Sequence, residues 1–502
     1  MNQVNKNLYI CCCVSLLMCI FHICMLDYTT FPSGDEIGTA DSAINWLTNG
    51  EWYSDVWVYT YHPLHNFLLT LWLSVFGISH MAVCSMNVLI AFITSLLCLK
   101  ILTERKIINN LWSTLIFIFL FWAIAPHSNG RIDCLMMLFS VGIVDQLFPS
   151  SEQYSKSNKS LAIYSFGLML TGIYSIPIIL VLGISLLIYE WKDIEKRQVL
   201  IRQAKVIVIS CLIAFLLVCL FYLINHRLLR FLQTYIRFNS NFNKGMDNLL
   251  VHYTFSEMVI DGYRNLYIVL FVLTGIVFGY IKKKKSLLYS SVFVLSIPII
   301  GAAAGHYVSY YYWMMNIFAI VILIWSMVII NKIAANITIS LLAFWLFVSP
   351  IYNSFQSPTK KEEVSQIKAY LNENKHILKD SIYVHFEAQE SARFYYLLRD
   401  YPVKISGKVR ILENYVDPKL VFEKTINKKI SNNDLRRFSM DVFDMIESYK
   451  EPDLSSGIII VKGEMKYKKL IEKLLEKQYK YKTISKYKDF VMVSFNSMVR
   501  GT

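Results

Sequence analysis

The amino-acid sequence predicts a polytopic α-helical membrane protein with about eleven transmembrane helices and an α/β domain after the last of them. Of its 502 residues, 55% are hydrophobic and only 17% are charged, whereas soluble domains carry about 25% charged residues. The charges are uneven, because 28 of the 50 Lys and Arg residues and 20 of the 36 Asp and Glu residues lie in 351–502. The chain therefore divides into a membrane part, residues 1–350, and a polar part, residues 351–502.

The same composition excludes several other classes. A soluble globular enzyme, a disordered chain and a fibrous chain do not combine long apolar runs with so few charges. The net charge of +14 does not indicate nucleic-acid binding, because Lys alternates with Glu in 351–502 as on a solvated surface. All ten Cys residues lie at or before Cys219, in or beside apolar runs, and their spacing fits no zinc site. We expect them to be small hydrophobic residues of helices.

Eleven apolar segments are candidates for helices that cross a bilayer. They are 8–26, 82–102, 108–126, 132–148, 161–174, 175–190, 206–224, 266–281, 287–304, 308–330 and 333–350. The fifth and sixth are short and meet at Pro177, which interrupts helical hydrogen bonding. We count them as two helices, and this choice sets the orientation of every later segment.

Basic loops alternate with these segments as the positive-inside rule requires. Arg105, the cluster from Lys192 to Lys205 and the block 282–285 all fall on the predicted cytoplasmic side. The N-terminus is then cytoplasmic and residues 351–502 are extracytoplasmic. A composition rich in Lys, Asn, Ile and Tyr is typical of AT-rich bacterial genomes, so we expect a bacterial plasma (inner) membrane. Residues 64–77 are too few for a span, and we place them on the outer surface as an interfacial helix.

The polar part shows the periodicities of an α/β domain. Helical spacing covers 361–378, 391–399 and 465–478, and strand patterns cover 381–386, 457–461 and 490–495. About 150 residues are enough to bury a core of their own.

The first outer loop, residues 27–63, holds the strongest candidate for chemistry. Asp35 and Glu36 start a short helix that ends near Asn49-Gly50, so both carboxylates are expected just above the membrane. The local pattern alone is better explained by helix capping and solvation, because an Asp at a helix start is common.

Three further polar clusters are predicted on the same outer side. They are Arg131 with Asp133, then Arg227, Arg230 and Arg237, and finally His306 with Tyr307. The first pair can equally be a membrane-edge anchor. The three arginines depart from the positive-inside pattern and would lie within about 80° on a helix, where their forks suit phosphate or lipid headgroups. The last pair can equally belong to an interfacial aromatic belt.

In their order and spacing these motifs resemble the polyprenyl-phosphate-dependent glycosyltransferases of the GT-C fold. The most similar families are the protein O-mannosyltransferases and the aminoarabinose transferases of lipid A. The resemblance covers about residues 8–330 and rests on Asp35-Glu36, Asn49-Gly50-Glu51-Trp52, His62-Pro63-Leu64, Arg131-Ile132-Asp133 and Gly305-His306-Tyr307. One departure is that the family often has two consecutive prolines where this chain has Pro63 alone.

The resemblance implies transfer of a sugar from a polyprenyl-phosphate donor to a lipid, glycan or protein acceptor at the outer leaflet. Asp35 would be the general base, and a single attack would invert the anomeric carbon. The implied substrate-binding residues are Glu36, His62, Arg131, Asp133, Arg227, Arg230, Arg237, His306 and Tyr307. No cofactor is required, although a divalent metal held by Asp35 and Glu36 stays open.

Two other classes remain open. A polysaccharide polymerase or ligase of another membrane fold would also place arginines in a large outer loop such as 225–265. A lipid or polysaccharide transporter would also have many spans, but it usually shows repeated halves with broken helices, and Pro177 marks a single break.

Overall fold

The computed structural model of the chain describes most of the membrane part and several strands of the polar part. The described residues are 3–29, most of 40–50, 63–108, 110–125, 130–147, 158–172, 193–224, 266–303, 313–330, 339–346, 382–384, 456–462, 479–487 and 490–497, with isolated positions between them.

Ten helices have their bounds within the described residues. They are α1 (Gln3–Thr29), α2 (Pro63–Phe76), α3 (His80–Glu104), α4 (Leu111–Ile124), α5 (Asp133–Leu147), α6 (Asn158–Thr171), α7 (Ile194–Ile224), α8 (Leu266–Ile281), α9 (Lys285–Ala303) and α10 (Trp313–Ile330). Each lies on a predicted apolar segment, and α8 has the predicted bounds. By length and composition, α1, α3 and α7 are long enough to cross a membrane. The total of eleven spans stays a prediction.

Helix α7 begins well before the predicted segment 206–224. Asp193 caps it, since its Oδ1 accepts from the backbone N–H of Lys196 at 3.1 Å. The first three turns, from Ile194 to Lys205, are rich in Glu, Lys, Arg and Gln, which are good helix formers but not apolar. Hydropathy detects only the apolar part of such a helix, which explains why α7 begins earlier than the predicted segment.

Two polar links join α3 to α5, one near each end. At one end, Nδ2 of Asn87 on α3 donates to the carbonyl oxygen of Arg131, which directly precedes α5. At the other end, Nη2 of Arg105 lies 3.1 Å from Oδ1 of Asp145 and donates to the Asp145 carbonyl at 3.0 Å. The two helices therefore run parallel. Arg131 and Arg105 lie at opposite ends of this pair, as the predicted topology requires.

Helix α7 starts at the same end of the bundle as α6. Gln203 on α7 donates to the carbonyl oxygen of Gln146, in the last turn of α5, at 2.9 Å, and α6 begins shortly after α5 ends. Further along, the thiol of Cys211 donates to the carbonyl of Ser165 on α6 at 3.5 Å. Helices α6 and α7 therefore run parallel. This direction is the one required by the prediction of two helices, one on either side of Pro177.

Helices α5 and α6 are antiparallel and pack through two glycines. Gly142 on α5 faces the ring of Tyr164 on α6, and Gly167 on α6 faces the ring of Phe139 on α5. Each glycine thus provides the hole that receives an aromatic ring from the partner helix. Small residues at such positions allow membrane helices to approach closely, where dispersion contacts drive their association.

We expect Gly142→Ala to destabilise the protein by about 1–3 kcal/mol, because overpacking forces neighbours apart. The new methyl group would lie 2.5 Å from Cδ1 of Tyr164, near the base of the ring, which cannot swing away easily. Thermal unfolding of the detergent-solubilised protein measures this effect. Gly183→Ala is the matched control, because a methyl group there meets no described atom within 4 Å. An unchanged unfolding temperature for Gly142→Ala would contradict the packing.

The polar part contains a four-stranded sheet. Its strands are β1 (Ile382–Val384), β2 (Ser456–Lys462), β3 (Tyr479–Tyr487) and β4 (Phe490–Ser497). The order is β1-β2-β4-β3, with β1 parallel to β2 and the other pairs antiparallel. A parallel pair needs a crossover connection, as in an α/β fold. Three strands match predicted segments, whereas the predicted helix 391–399 lies outside the described residues.

Strand β3 was not predicted. Its sequence alternates tyrosine and lysine before a single isoleucine, and Lys480, Tyr481 and Lys482 are exposed. The strand pairs with β4 at the edge of the sheet, with Tyr481 opposite Phe495. Edge strands often carry charged residues, which oppose pairing with other chains and which also obscure the apolar alternation used for prediction.

Candidate functional site

Most of the predicted site residues lie outside the described part of the chain. These are Asp35, Glu36, His62, Arg227, Arg230, Arg237, His306 and Tyr307. Their roles stay predictions. The structure describes the remaining two, Arg131 and Asp133, and the surroundings of both.

The short helix of the first outer loop ends where the sequence predicts. The N–H of Gly50 donates to the carbonyl oxygen of Trp46 at 3.0 Å, and Gly50 has a φ of +71°. This left-handed conformation is the common glycine termination of a helix. Ala40 and Ile44, two of the residues predicted to share one face, are fully buried. The described part of this helix, within 40–48, is therefore packed against the protein by its apolar face.

Arg131 and Asp133 form an ion pair at the start of α5. Nε of Arg131 lies 3.2 Å from Oδ2 of Asp133, and the two side chains are 11% and 1% exposed. A carboxylate in the first turn also interacts favourably with the helix dipole. The two charges are thus brought together and withdrawn from solvent, as a membrane-edge pair or a binding site would require.

The first two turns of α3 hold this pair in place. Asn87, which is fully buried, donates to the Arg131 carbonyl and so fixes the backbone beside the ion pair. On the same turns, Nε1 of Trp72 on α2 donates to the Ala82 carbonyl at 2.9 Å and to Oγ of Ser85 at 3.1 Å. Helix α2 and the ion pair are therefore both anchored on the first turns of α3.

Helix α2 carries its polar residues on the buried side. His65, Asn66 and Thr70 face inward, whereas Phe67 and Val75 on the opposite side are 50% and 74% exposed. An apolar face turned outward fits a helix against lipid. The prediction that 64–77 is one helix of this extent is confirmed, and its place on the outer surface stays a prediction.

His65 and Asn66 are buried without hydrogen-bond partners in the described structure. They are 0% and 1% exposed, and neither the two ring nitrogens nor the two amide atoms make a hydrogen bond there. A buried polar group left unpaired costs about 1–3 kcal/mol. Thr70, one turn later on the same face, avoids this cost by donating to the Asn66 carbonyl at 2.8 Å.

Burial lowers the pKa of His65 to about 4. The neighbouring Asn66 amide opposes this shift to a smaller extent, without the geometry of a hydrogen bond. The imidazole is therefore neutral near pH 7, with one N–H donor and one acceptor nitrogen.

Sequence reasoning missed Asn87, His65 and Asn66. Each is a polar residue within an otherwise apolar run, and such residues are ordinary in helices that pack on other helices. The adjacency of His65 and Asn66 in an apolar fourteen-residue helix was the available signal. No group of three or more metal-ligating side chains occurs among the described residues.

The described site offers one paired cation, one paired anion and two neutral polar groups, all anchored around the start of α3. Two solved structures of ArnT from Cupriavidus metallidurans are similar to this chain in fold, and this similarity supports a membrane protein of GT-C-like fold.

The ArnT structure bound to undecaprenyl phosphate matches with a TM-score of 0.55 and 12% sequence identity, over 97% of this chain and 97% of that one. The apo ArnT structure matches with a TM-score of 0.52 and 11% identity over the same shares. No protein-family model and no curated protein sequence matches the chain. At these identities the similarity establishes the fold and leaves the activity open.

Proposed function

We propose that this protein is a membrane glycosyltransferase that moves a sugar from a polyprenyl-phosphate donor to an acceptor on the extracytoplasmic side. The observation that carries the proposal is the similarity in fold to ArnT over 97% of both chains, in a structure solved with undecaprenyl phosphate bound.

In the proposed reaction, Asp35 takes the proton of the acceptor hydroxyl or amine as that group attacks the anomeric carbon. The bond from the anomeric carbon to the phosphate oxygen breaks, and the polyprenyl phosphate leaves as a stable anion. A single displacement inverts the anomeric carbon. No general acid is needed for this leaving group, but cations are needed to stabilise its charge.

Arg131 is the proposed cation within the described structure, and its ion pair with Asp133 orients the guanidinium. The other proposed phosphate contacts are His62, Arg227, Arg230, Arg237, His306 and Tyr307. Glu36 and Asp133 orient the acceptor or these cations. Arginine suits the role because its planar fork matches the geometry of phosphate oxygens.

The proposed setting is a bacterial plasma membrane, with a cytoplasmic N-terminus and residues 351–502 outside. The reaction needs no cofactor, and a divalent metal at Asp35 and Glu36 is tested by adding a chelator to the assay. The acceptor belongs to the lipids, glycans or proteins of the cell envelope.

The proposal is tested in proteoliposomes that contain labelled hexoses or pentoses on undecaprenyl phosphate, together with membrane extract as a source of acceptors. We expect one labelled sugar to be transferred and undecaprenyl phosphate to be released in equal amount. Movement of the labelled lipid between leaflets without transfer would identify a transporter instead. Lengthening of diphosphate-linked glycans, without use of the monophosphate donor, would identify a polymerase or ligase.

A further inference from the structure

The turn between α8 and α9 carries four consecutive lysines, Lys282 to Lys285. All four are exposed, and none of them makes an ion pair with another residue of the described structure. The adjoining helices offer no carboxylate, because no Asp or Glu occurs in the sequence between Asp261 and Glu362. The four positive charges therefore repel one another, and the helices that hold them supply no neutralising charge.

Hydrogen bonds fix the backbone of this turn. The N–H of Lys284 donates to the carbonyl oxygen of Gly279 at 2.8 Å, and the N–H of Lys283 donates to that of Tyr280 at 3.1 Å. These two bonds define the Schellman motif, which places Lys283 in the left-handed position. Gly279 also lets the helices meet closely, since a methyl group there would lie 2.7 Å from the backbone nitrogen of Leu288. The lysines are therefore carried by a closely packed helical hairpin.

Lys283 has a φ of +52°, a conformation that glycine adopts at lower cost than lysine does. Lys106 ends α3 with the same motif and a φ of +56°. In contrast, the left-handed residues that end the outer-loop helix and α2 are Gly50 and Gly77. The two glycine ends belong to the predicted outer side, and the two lysine ends belong to the predicted cytoplasmic side. At its cytoplasmic ends the chain thus accepts a less stable backbone and gains a positive charge.

Helix dipoles and orientation account for only part of this arrangement. The dipole favours a cation at the C-terminal end of α8, where Lys283 lies. Lys285, however, lies in the first turn of α9, where the dipole disfavours a cation and where no acidic residue occurs. The positive-inside rule explains cations in this loop, but it does not require them where the backbone and the dipole disfavour them. An anion bound to the turn would offset both costs.

Exposed tyrosines place this turn at the level of lipid headgroups. Tyr280 is 76% exposed near the end of α8, and Tyr289 is 54% exposed in the second turn of α9. Tyrosine is enriched where the hydrocarbon core of a membrane meets water. Beyond the tyrosines, Val277 and Val292 are also exposed, as on a surface that faces lipid. The phosphates of anionic lipids are therefore the anions closest to the four lysines.

We propose that Lys282 to Lys285 bind the headgroups of anionic phospholipids in the leaflet that borders this turn. Lysine suits such a surface, because its compact charge attracts phosphate without the fixed geometry of an arginine fork. Clusters of four or more basic residues beside a membrane helix are typical of binding to anionic lipids. The inference is independent of the proposed reaction, since it concerns a lipid of the surrounding membrane and not the sugar donor.

The test is thermal unfolding of the purified protein in detergent micelles, titrated with phosphatidylglycerol or with phosphatidylcholine. A lipid that binds the folded protein raises its unfolding temperature. We expect phosphatidylglycerol to stabilise the wild type more than phosphatidylcholine does, and high salt to reduce the difference. Lys282→Gln and Lys284→Gln should each weaken the apparent affinity for phosphatidylglycerol about fivefold, and the double variant about 25-fold. Single and double substitutions leave the other basic loops to orient the chain.

Lys283→Gly separates the charge from the backbone conformation. Without lipid it should raise the unfolding temperature, because glycine adopts the left-handed conformation more easily, and it should weaken binding of phosphatidylglycerol about fivefold. Lys106→Gly is the matched control, because it makes the same backbone change at a turn where the exposed carboxylate of Glu104 is close in sequence. It should raise the unfolding temperature with a smaller effect on the lipid. Lys283→Arg should keep the affinity of the wild type.

Three results would overturn the inference. The first is equal stabilisation of the wild type by the two lipids. The second is an unchanged affinity for phosphatidylglycerol when Lys282 and Lys284 are both replaced by Gln, since the block would then serve only to orient the hairpin. The third is an equal loss when Lys480 and Lys482 of β3 are replaced by Gln instead, since lipid binding would then follow the net charge of the whole protein. Failure of the proposed sugar transfer would leave all of these measurements unaffected.

Discussion

Asp35→Asn should lower the turnover of sugar transfer by about 10²–10⁴-fold, the usual contribution of a positioned general base. Asparagine keeps the shape of the side chain and much of its ability to cap a helix. It cannot accept the proton of the attacking hydroxyl. Folding and donor binding should therefore survive while the chemical step is lost. The measurement is transfer of labelled sugar in proteoliposomes, made alongside equilibrium binding of the donor.

Glu36→Gln provides the comparison for that experiment, because it removes the neighbouring carboxylate and should cost less turnover. Near-normal transfer by a folded Asp35→Asn protein would rule out Asp35 as the base. An equal loss of donor binding and turnover would instead make Asp35 a structural or metal-holding residue. Titration with divalent cations separates these last two roles.

The helices of this protein could be predicted from its sequence because a bilayer imposes both length and apolar composition on each span. Helix α8 accordingly has the predicted bounds, from Leu266 to Ile281. The same reasoning missed the polar first turns of α7, because hydropathy identifies apolar residues suited to the membrane and does not detect the polar part of a helix. It also missed β3, where exposed residues such as Lys480 and Tyr481 carry no apolar alternation. The first turns of α7 depend on helix propensity, and β3 depends on its pairing with β4.

The candidate site was predictable to a different degree at each residue. Arg131 and Asp133 are conspicuous because charges at the edge of an apolar run are costly and therefore informative. The hydrogen bond from Asn87 to the Arg131 carbonyl joins residues that are 44 positions apart, and it follows from the parallel packing of α3 and α5. His65 and Asn66 attract attention only once their burial is known, and burial is a property of the folded chain.

Arg131→Met is expected to destabilise the protein by about 3–5 kcal/mol, because it removes the positive charge that is paired with the buried carboxylate of Asp133. Asp133 is 1% exposed, so solvent cannot replace the lost partner. The matched control is Arg105→Met at the opposite end of the same helix pair, where Arg105 and Asp145 are also paired, at 3.1 Å. Both variants should unfold at lower temperature, but only Arg131→Met should weaken binding of undecaprenyl phosphate.

The double variant Arg131→Met with Asp133→Leu separates structure from function at this pair. Replacing a buried ion pair by apolar residues of similar size is often neutral or stabilising, so the double variant should recover much of the lost stability. It should not recover donor binding or turnover, because phosphate would still lack the guanidinium fork. Recovery of turnover together with stability would show that the pair serves only to hold α5 against α3. Persistent loss of turnover in a protein as stable as the wild type would place Arg131 at the donor, since stability would then no longer account for the defect.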